Sequence, residues 1–211
     1  MKKLVILIVF IFIQQISFGQ FTAITPKVGL TMSKLRDFPD THYKPGYEFG
    51  VSAEYKLVKQ FSILSALGLE QKGYLEKGTF QEVSGTFSEY QKYTSLNYIN
   101  LPLLVKYIPF QNKGIYLIAG GYAGYLIAVS ERLQTSIEGS DKNEKTKKDV
   151  DDYYRWNAGL SAGAGYDIPT KGKGRINVET KYEFDVHLEK DIFPTTHTFS
   201  LSVGYSIGIF K

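Results

Sequence analysis

The sequence predicts an all-β fold: an eight-stranded antiparallel up-and-down transmembrane β-barrel with short periplasmic turns and longer external loops. Three observations lead to it. The stretch 196–210 alternates strictly, with Phe199, Leu201, Val203, Tyr205, Ile207 and Ile209 on one face and Thr198, Ser200, Ser202, Gly204, Ser206 and Gly208 on the other. A period of two over this length specifies a strand, longer than the about 5–6 residues of an ordinary one. One apolar face and one small, polar face suit a lipid-facing wall around a crowded lumen. Secondly, the chain opens with Lys2 and Lys3, an apolar run over 4–13 and the small-x-small triplet Ser17-Phe18-Gly19, the three parts of a secretory signal. Thirdly, connections are short after the second, fourth and sixth alternating segments and long or polar after the others. That is the pattern of a barrel whose termini and short turns share the periplasmic side.

Cleavage after Gly19 divides the chain into a signal (1–19) and one barrel domain (20–211). The apolar run falls short of the ~20 residues that a spanning helix needs, and no cysteine offers a lipid anchor. Since lipid cannot satisfy unpaired backbone groups, a membrane location without a spanning helix requires a closed barrel. With no cysteines, neither disulfides nor thiolate metal sites contribute. The chain has 25 Lys and Arg against 21 Asp and Glu; without Lys2 and Lys3 the excess is two, which gives no argument for nucleic acid. The 16 Tyr and 14 Phe fit interfacial belts.

In chain order, strand one (24–35) alternates Val28, Leu30 and Met32 with Lys27, Gly29, Thr31 and Ser33. Strand two (47–57) places Tyr47, Phe49, Val51, Ala53, Tyr55 and Leu57 outward, with Glu48, Gly50, Ser52, Glu54 and Lys56 inward. Strand three (61–78) alternates less cleanly, with Ser65 on its outer face. The polar connection 79–91 leads to strand four (93–108), where Pro102, lacking a donor, marks a bulge. Strand five (115–133) turns Gly120 and Gly124 inward and Leu117, Tyr125, Ile127 and Val129 outward. The charge-rich run 134–152 is expected as a solvated loop, since it buries too little apolar surface to fold alone. Strand six (154–168) sets Trp156, Leu160 and Tyr166 against Asn157, Ser161 and Asp167, and a glycine-rich turn at 169–174 suits a hairpin. Strand seven (175–188) carries Ile176, Val178, Tyr182, Phe184, Val186 and Leu188 outward, and Asn177, Glu179, Lys181, Glu183, Asp185 and His187 inward.

Three segments carry a family resemblance: Lys27-Val28-Gly29-Leu30-Thr31-Met32-Ser33, Tyr98-Ile99-Asn100-Leu101-Pro102-Leu103-Leu104-Val105-Lys106-Tyr107, and Tyr116-Leu117-Ile118-Ala119-Gly120-Gly121-Tyr122. They resemble the PorT-like outer-membrane β-barrel domain family, widespread in Bacteroidetes, over essentially the whole mature chain. The resemblance implies an outer-membrane barrel and transfers no catalytic residue. Some members assist protein secretion, while most have no assigned activity. The spacing Gly204-x-x-Ile207-x-Ile209 also resembles the terminal assembly signal of such barrels, although Lys211 rather than an aromatic ends the chain.

The candidate site is the lumen. Glu54, Lys56, Glu179, Lys181, Glu183 and Asp185 project into an interior only wide enough for side chains, where buried charges must pair. A plugging ion-pair network is weighed above a polar ligand or ion path. Val203, Tyr205, Ile207, Leu160 and Phe184 are assigned to lipid. Gly159-Leu160-Ser161-Ala162-Gly163 matches G-x-S-x-G, but a nucleophile elbow needs a strand-to-helix turn, and here alternation continues to Tyr166. His187, Asp191 and His197 flank one external loop, and loop histidines are preferred to a metal or lipid A hydrolase site there. Asp141, Glu144, Asp149, Asp151 and Asp152 lack calcium-loop spacing.

The expected protein is therefore a monomeric, non-enzymatic outer-membrane barrel without cofactors, acting through external loops or partner contacts. Its surroundings are outer-membrane lipid and lipopolysaccharide; an envelope protein is the candidate partner, in secretion or envelope assembly. The alternatives are a soluble periplasmic lipocalin-like barrel binding an apolar ligand, which needs an apolar interior, and a lipid A-modifying enzyme.

Overall fold

The computed structural model describes residues 21–36, 38, 40–81, 87–110, 113–137, 140–172, 174–186 and 195–208. The export segment, His187, Leu188, Asp191 and 209–211 lie outside the described residues. Among those described, ten strands form one antiparallel sheet: β1 (Phe21–Leu35), β2 (Thr41–His42), β3 (Lys44–Lys56), β4 (Phe61–Gln81), β5 (Phe87–Tyr107), β6 (Ile115–Ile137), β7 (Ser140–Lys148), β8 (Trp156–Pro169), β9 (Gly174–Asp185) and β10 (Thr196–Gly208). Eight close into a ring in the order β1–β3–β4–β5–β6–β8–β9–β10, with β10 returning to β1. Apart from that closure, each long strand pairs with its neighbours in sequence, which makes the barrel up-and-down. Closure leaves the ring no open edge, as lipid requires.

Alternation decides what each face meets. Around the outside run Val28 and Leu30 of β1, Phe49 and Val51 of β3, Leu67 of β4, Leu101 and Leu103 of β5, Leu117 of β6, Leu160 of β8, and Leu201 and Val203 of β10, all exposed. Leu30 is 69% and Leu160 62% accessible, values for which a water-facing wall has no use. The outward run Ile24 to Met32 covers about 27 Å along the strand at ~3.4 Å per residue; at the ~40° tilt of such barrels this is roughly 20 Å of height, near the about 25 Å apolar band they carry. Aromatics bound this belt. Phe61 stacks on Tyr107 at 4.9 Å near the termini, and Tyr125 meets Trp156 edge-on at 5.1 Å toward the far rim.

Several sequence expectations change. The connection 79–91 is shorter than expected, because β4 runs to Gln81 and β5 starts at Phe87, paired through Gln81–Phe87. The run 134–152 is not a bare loop. β7 pairs with β6 from Val129–Lys148 to Ile137–Ser140, and a 3-10 turn follows at Val150–Asp152. It needs no core of its own, because β6 supplies the backbone partners and Val150 and Tyr153 anchor on buried Leu126 and Val129. Pro102 lies within an unshifted register; the bulge falls elsewhere, where Asn97 pairs with Ala128 and Tyr98 with Leu126, leaving Ile127 extra. One extra residue reverses the phase beyond it. Val129, expected outward, is therefore buried at 3%.

Candidate functional site

Two tiers of charge fill the lumen. In the tier nearer the termini, Lys106 of β5 reaches Glu54 of β3 (Nζ–Oε2 3.3 Å) and Asp167 of β8 (Nζ–Oδ2 2.9 Å). Arg175, at the start of β9, bridges the same two carboxylates at 3.3 Å each. Lys27 faces Glu179 at 3.5 Å, and the Tyr116 hydroxyl donates to Glu179 at 3.1 Å. Asn177 donates to Asp167, and the Lys106 ammonium stands 4.1 Å from the centroid of the Tyr116 ring. Three cations thus meet three carboxylates.

The second tier lies deeper. Lys72 of β4, 1% exposed, holds Glu183 (2.9 Å) and Asp185 (3.2 Å). Lys181 holds Glu183 (2.8 Å) and Glu48 (3.3 Å). The Tyr122 hydroxyl donates to Asp185 and accepts from Lys72 at 3.1 Å. The Thr196 backbone N–H donates to Asp185 at 3.1 Å, and Asn100 donates to Glu70. Here two cations face four carboxylates, and Glu48 stands directly opposite Glu70 across β3 and β4. Like charges so placed oppose pairing of their strands; Lys181 on one side and Asn100 on the other oppose that cost.

Apolar groups bracket the charges. Leu96, Tyr98, Leu126 and Val129 form a buried cluster at the external end, covered by Val150 and Tyr153. The cover is held by the Leu126 N–H, which donates to the Arg155 carbonyl at 2.7 Å, and by Asp149, which caps the 3-10 turn. Leu104, Tyr116 and Ile118 pack together nearer the termini. Against this second cluster lies a small cleft of about 40 Å³, lined by Lys27, Glu54, Lys106, Glu179 and small residues of β10.

Of the lumen residues named from sequence, Glu54, Lys181, Glu183 and Asp185 are buried and share these networks. Glu179 joins them, half-buried. Lys56 does not: it is exposed at the end of β3, where it stands opposite buried Ser62. Val203, Tyr205, Ile207 and Leu160 are exposed on the outer face, and Phe184 is partly covered there. Sequence reasoning missed Lys72, Glu70, Lys106 and Arg175, and left Asp167 and Glu48, though both were placed on polar faces, out of the network. Strict alternation carried through β4 and β5 would have exposed Lys72 and Lys106, but inward Leu64 and Leu104 disguise the polar face.

Among the described residues the chemistry of hydrolysis is not assembled. Ser161 is a buried strand residue between Gly120 and Glu183. His42 is exposed, and His197 lies on the outer face against Tyr182. Among the described residues no cluster of His, Cys, Asp or Glu is placed to hold a metal ion.

A closed ring of this size, apolar outside, ionic within and girdled by aromatics, is a barrel of the outer-membrane kind. The chain belongs to the family described as outer membrane protein beta-barrel domain, whose model matches residues 14–187. No curated protein matches it. Among solved structures it is similar to Ail, the attachment invasion locus protein of Yersinia pestis, in complex with the heparin analogue sucrose octasulfate: 14% identity, 88% of this chain and 99% of that chain covered, TM-score 0.40. It is also similar to Neisserial surface protein A (10%, 88% and 95%, 0.39) and to OprG of Pseudomonas aeruginosa (8%, 92% and 98%, 0.40).

Proposed function

We propose that this outer-membrane barrel is a non-enzymatic monomer that acts through its external surface, toward lipopolysaccharide and an envelope protein partner. The supporting observation is the division of the molecule. Paired charges occupy the lumen, whereas β4 to β7 continue well beyond the apolar belt as a charged, accessible sheet. A filled lumen leaves the outside to do the work, and the outward apolar face is the reverse of a lipocalin-like carrier. Residues 1–19 act as the cleaved export signal in this reading. The PorT-like motifs at 27–33, 98–107 and 116–122 favour a part in secretion or envelope assembly.

Replacing 138–149 by a short turn tests it, because the ring closes without β7. The shortened protein should stay in membranes through a carbonate wash and keep its heat-modified gel mobility. It should fail to restore whatever secretion or envelope defect deletion of the whole protein causes. Full restoration would overturn the external-surface reading, and release of the intact protein by carbonate would overturn the integral one.

A further inference from the structure

We propose that the outer face of β1, β9 and β10, at the external edge of the apolar belt, binds a phosphomonoester on the headgroup of an outer-leaflet glycolipid. The inference rests on the membrane-embedded reading above and adds a site to it. One cross-strand row carries it. Lys34 of β1 stands opposite His197 of β10, and His197 opposite Phe184 of β9. The row below is Met32, Phe199 and Tyr182, and below that come Leu30, Leu201 and Thr180, then Val28, Val203 and Val178. Lys34 and His197 are therefore the first basic groups met on leaving the belt on this side, at the depth where headgroup phosphates lie.

The cations are held in place before any ligand arrives. Lys34 Nζ lies 5.1 Å from the Tyr43 ring centroid, and the Arg36 guanidinium 4.7 Å from that of Phe184. A cation laid on an aromatic face keeps its charge and loses less freedom when it grips an anion. Tyr182 hydrogen-bonds His197 Nδ1, and Phe184 meets the same ring edge-on at 5.5 Å. When the tyrosine donates, the ring hydrogen sits on Nε2, which can donate to a phosphate oxygen. Among the described residues no carboxylate pairs with Lys34 or His197. Charge-assisted bonds from a lysine, an arginine and an imidazole suit a dianionic monoester better than the single charge of a phosphodiester.

The test uses the full mature chain in phosphatidylcholine nanodiscs, titrated with fluorescent lipid A bearing both phosphates. Parallel arms use lipid A stripped of phosphate, phosphatidylglycerol at equal charge, and inorganic phosphate in solution. Phosphorylated lipid A should bind the wild type best, and Lys34→Gln with Arg36→Gln should weaken it about tenfold or more, the loss of one or two charge-assisted hydrogen bonds. His197→Phe, which keeps the aromatic packing, should weaken it less, and Lys56→Gln at the opposite rim should not change it. Equal binding of phosphatidylglycerol, or competition by inorganic phosphate at comparable concentration, overturns the glycolipid assignment. Unchanged binding by both rim variants overturns the site and leaves the barrel reading intact. Failure of the wild type to enter the bilayer removes both.

Discussion

Lys72 is among the most deeply buried charges of the lumen, at 1% exposure. Its ammonium is shared by Glu183 and Asp185, donates to the Tyr122 hydroxyl and sits 4.3 Å from the Tyr122 ring centroid. Removing one partner from a buried network strands the other charges, at about 3–5 kcal/mol. Lys72→Met should cost that much in a urea titration of the vesicle-inserted barrel, read by heat-modified mobility. Lys56→Met, on an exposed strand end, should stay within about 0.5 kcal/mol. Equal, small effects would mean that the tier is hydrated and its ion pairs carry little of the stability. Packing in the lumen is as tight as its charge pairing. The Tyr122 ring closes over Gly159 and the Tyr116 ring over Gly165, so that a Cβ at either glycine would overlap the phenol. In sequence these glycines read only as small inward residues; the tyrosines that require them come from β6, a strand away.

At the scale of the strand, β6 holds the least regular feature of the ring. Leu126 is inward, Ile127 and Ala128 both face out, and Val129 is inward again. Deleting Ile127 leaves a regular alternation with Leu126 and Val129 still on the core side. Deleting Ala123 instead drives Tyr125 inward and Leu126 outward, since a one-residue slip exchanges faces. The first deletion should keep a heat-modifiable barrel and the second should not. Equal tolerance would show that the register of β6 is not fixed by its inward residues. Strands such as β8, β9 and β10 were legible because small or charged residues alternate without interruption with apolar ones. β4 and β6 were not, because inward apolar residues, Leu64 on β4 and Ile118, Leu126 and Val129 on β6, interrupt the polar face. The extension of β6 into β7 was hidden for a different reason: its strand character comes from backbone pairing with a neighbour, which leaves no apolar period in the sequence.

At the scale of the whole molecule, the outer belt gives the barrel an axis and a depth. Val203 stands opposite Val28 on one side and Val178 on the other, midway between Phe199 and Ile207 on β10 and between Ile24 and Met32 on β1. Ile207 lies four residues nearer the termini, opposite Ile24, at the edge of the belt. Tyr205, between them, makes a poor reporter of lipid contact, because its ring also covers Gly174. An arginine on the lipid face costs about 2–4 kcal/mol at the midplane and about 0–1 near an interface. Val203→Arg should therefore destabilise the vesicle-refolded barrel by about 2–4 kcal/mol, and Ile207→Arg by no more than about 1. The gradient matters more than either value, since only a layer of hydrocarbon centred on Val203 produces it. A water-facing belt would leave both substitutions within about 0.5 kcal/mol of the wild type, as surface changes usually do. A packed protein interface would penalise both alike. Unfolding free energies for the pair, measured in the same vesicles, separate the three.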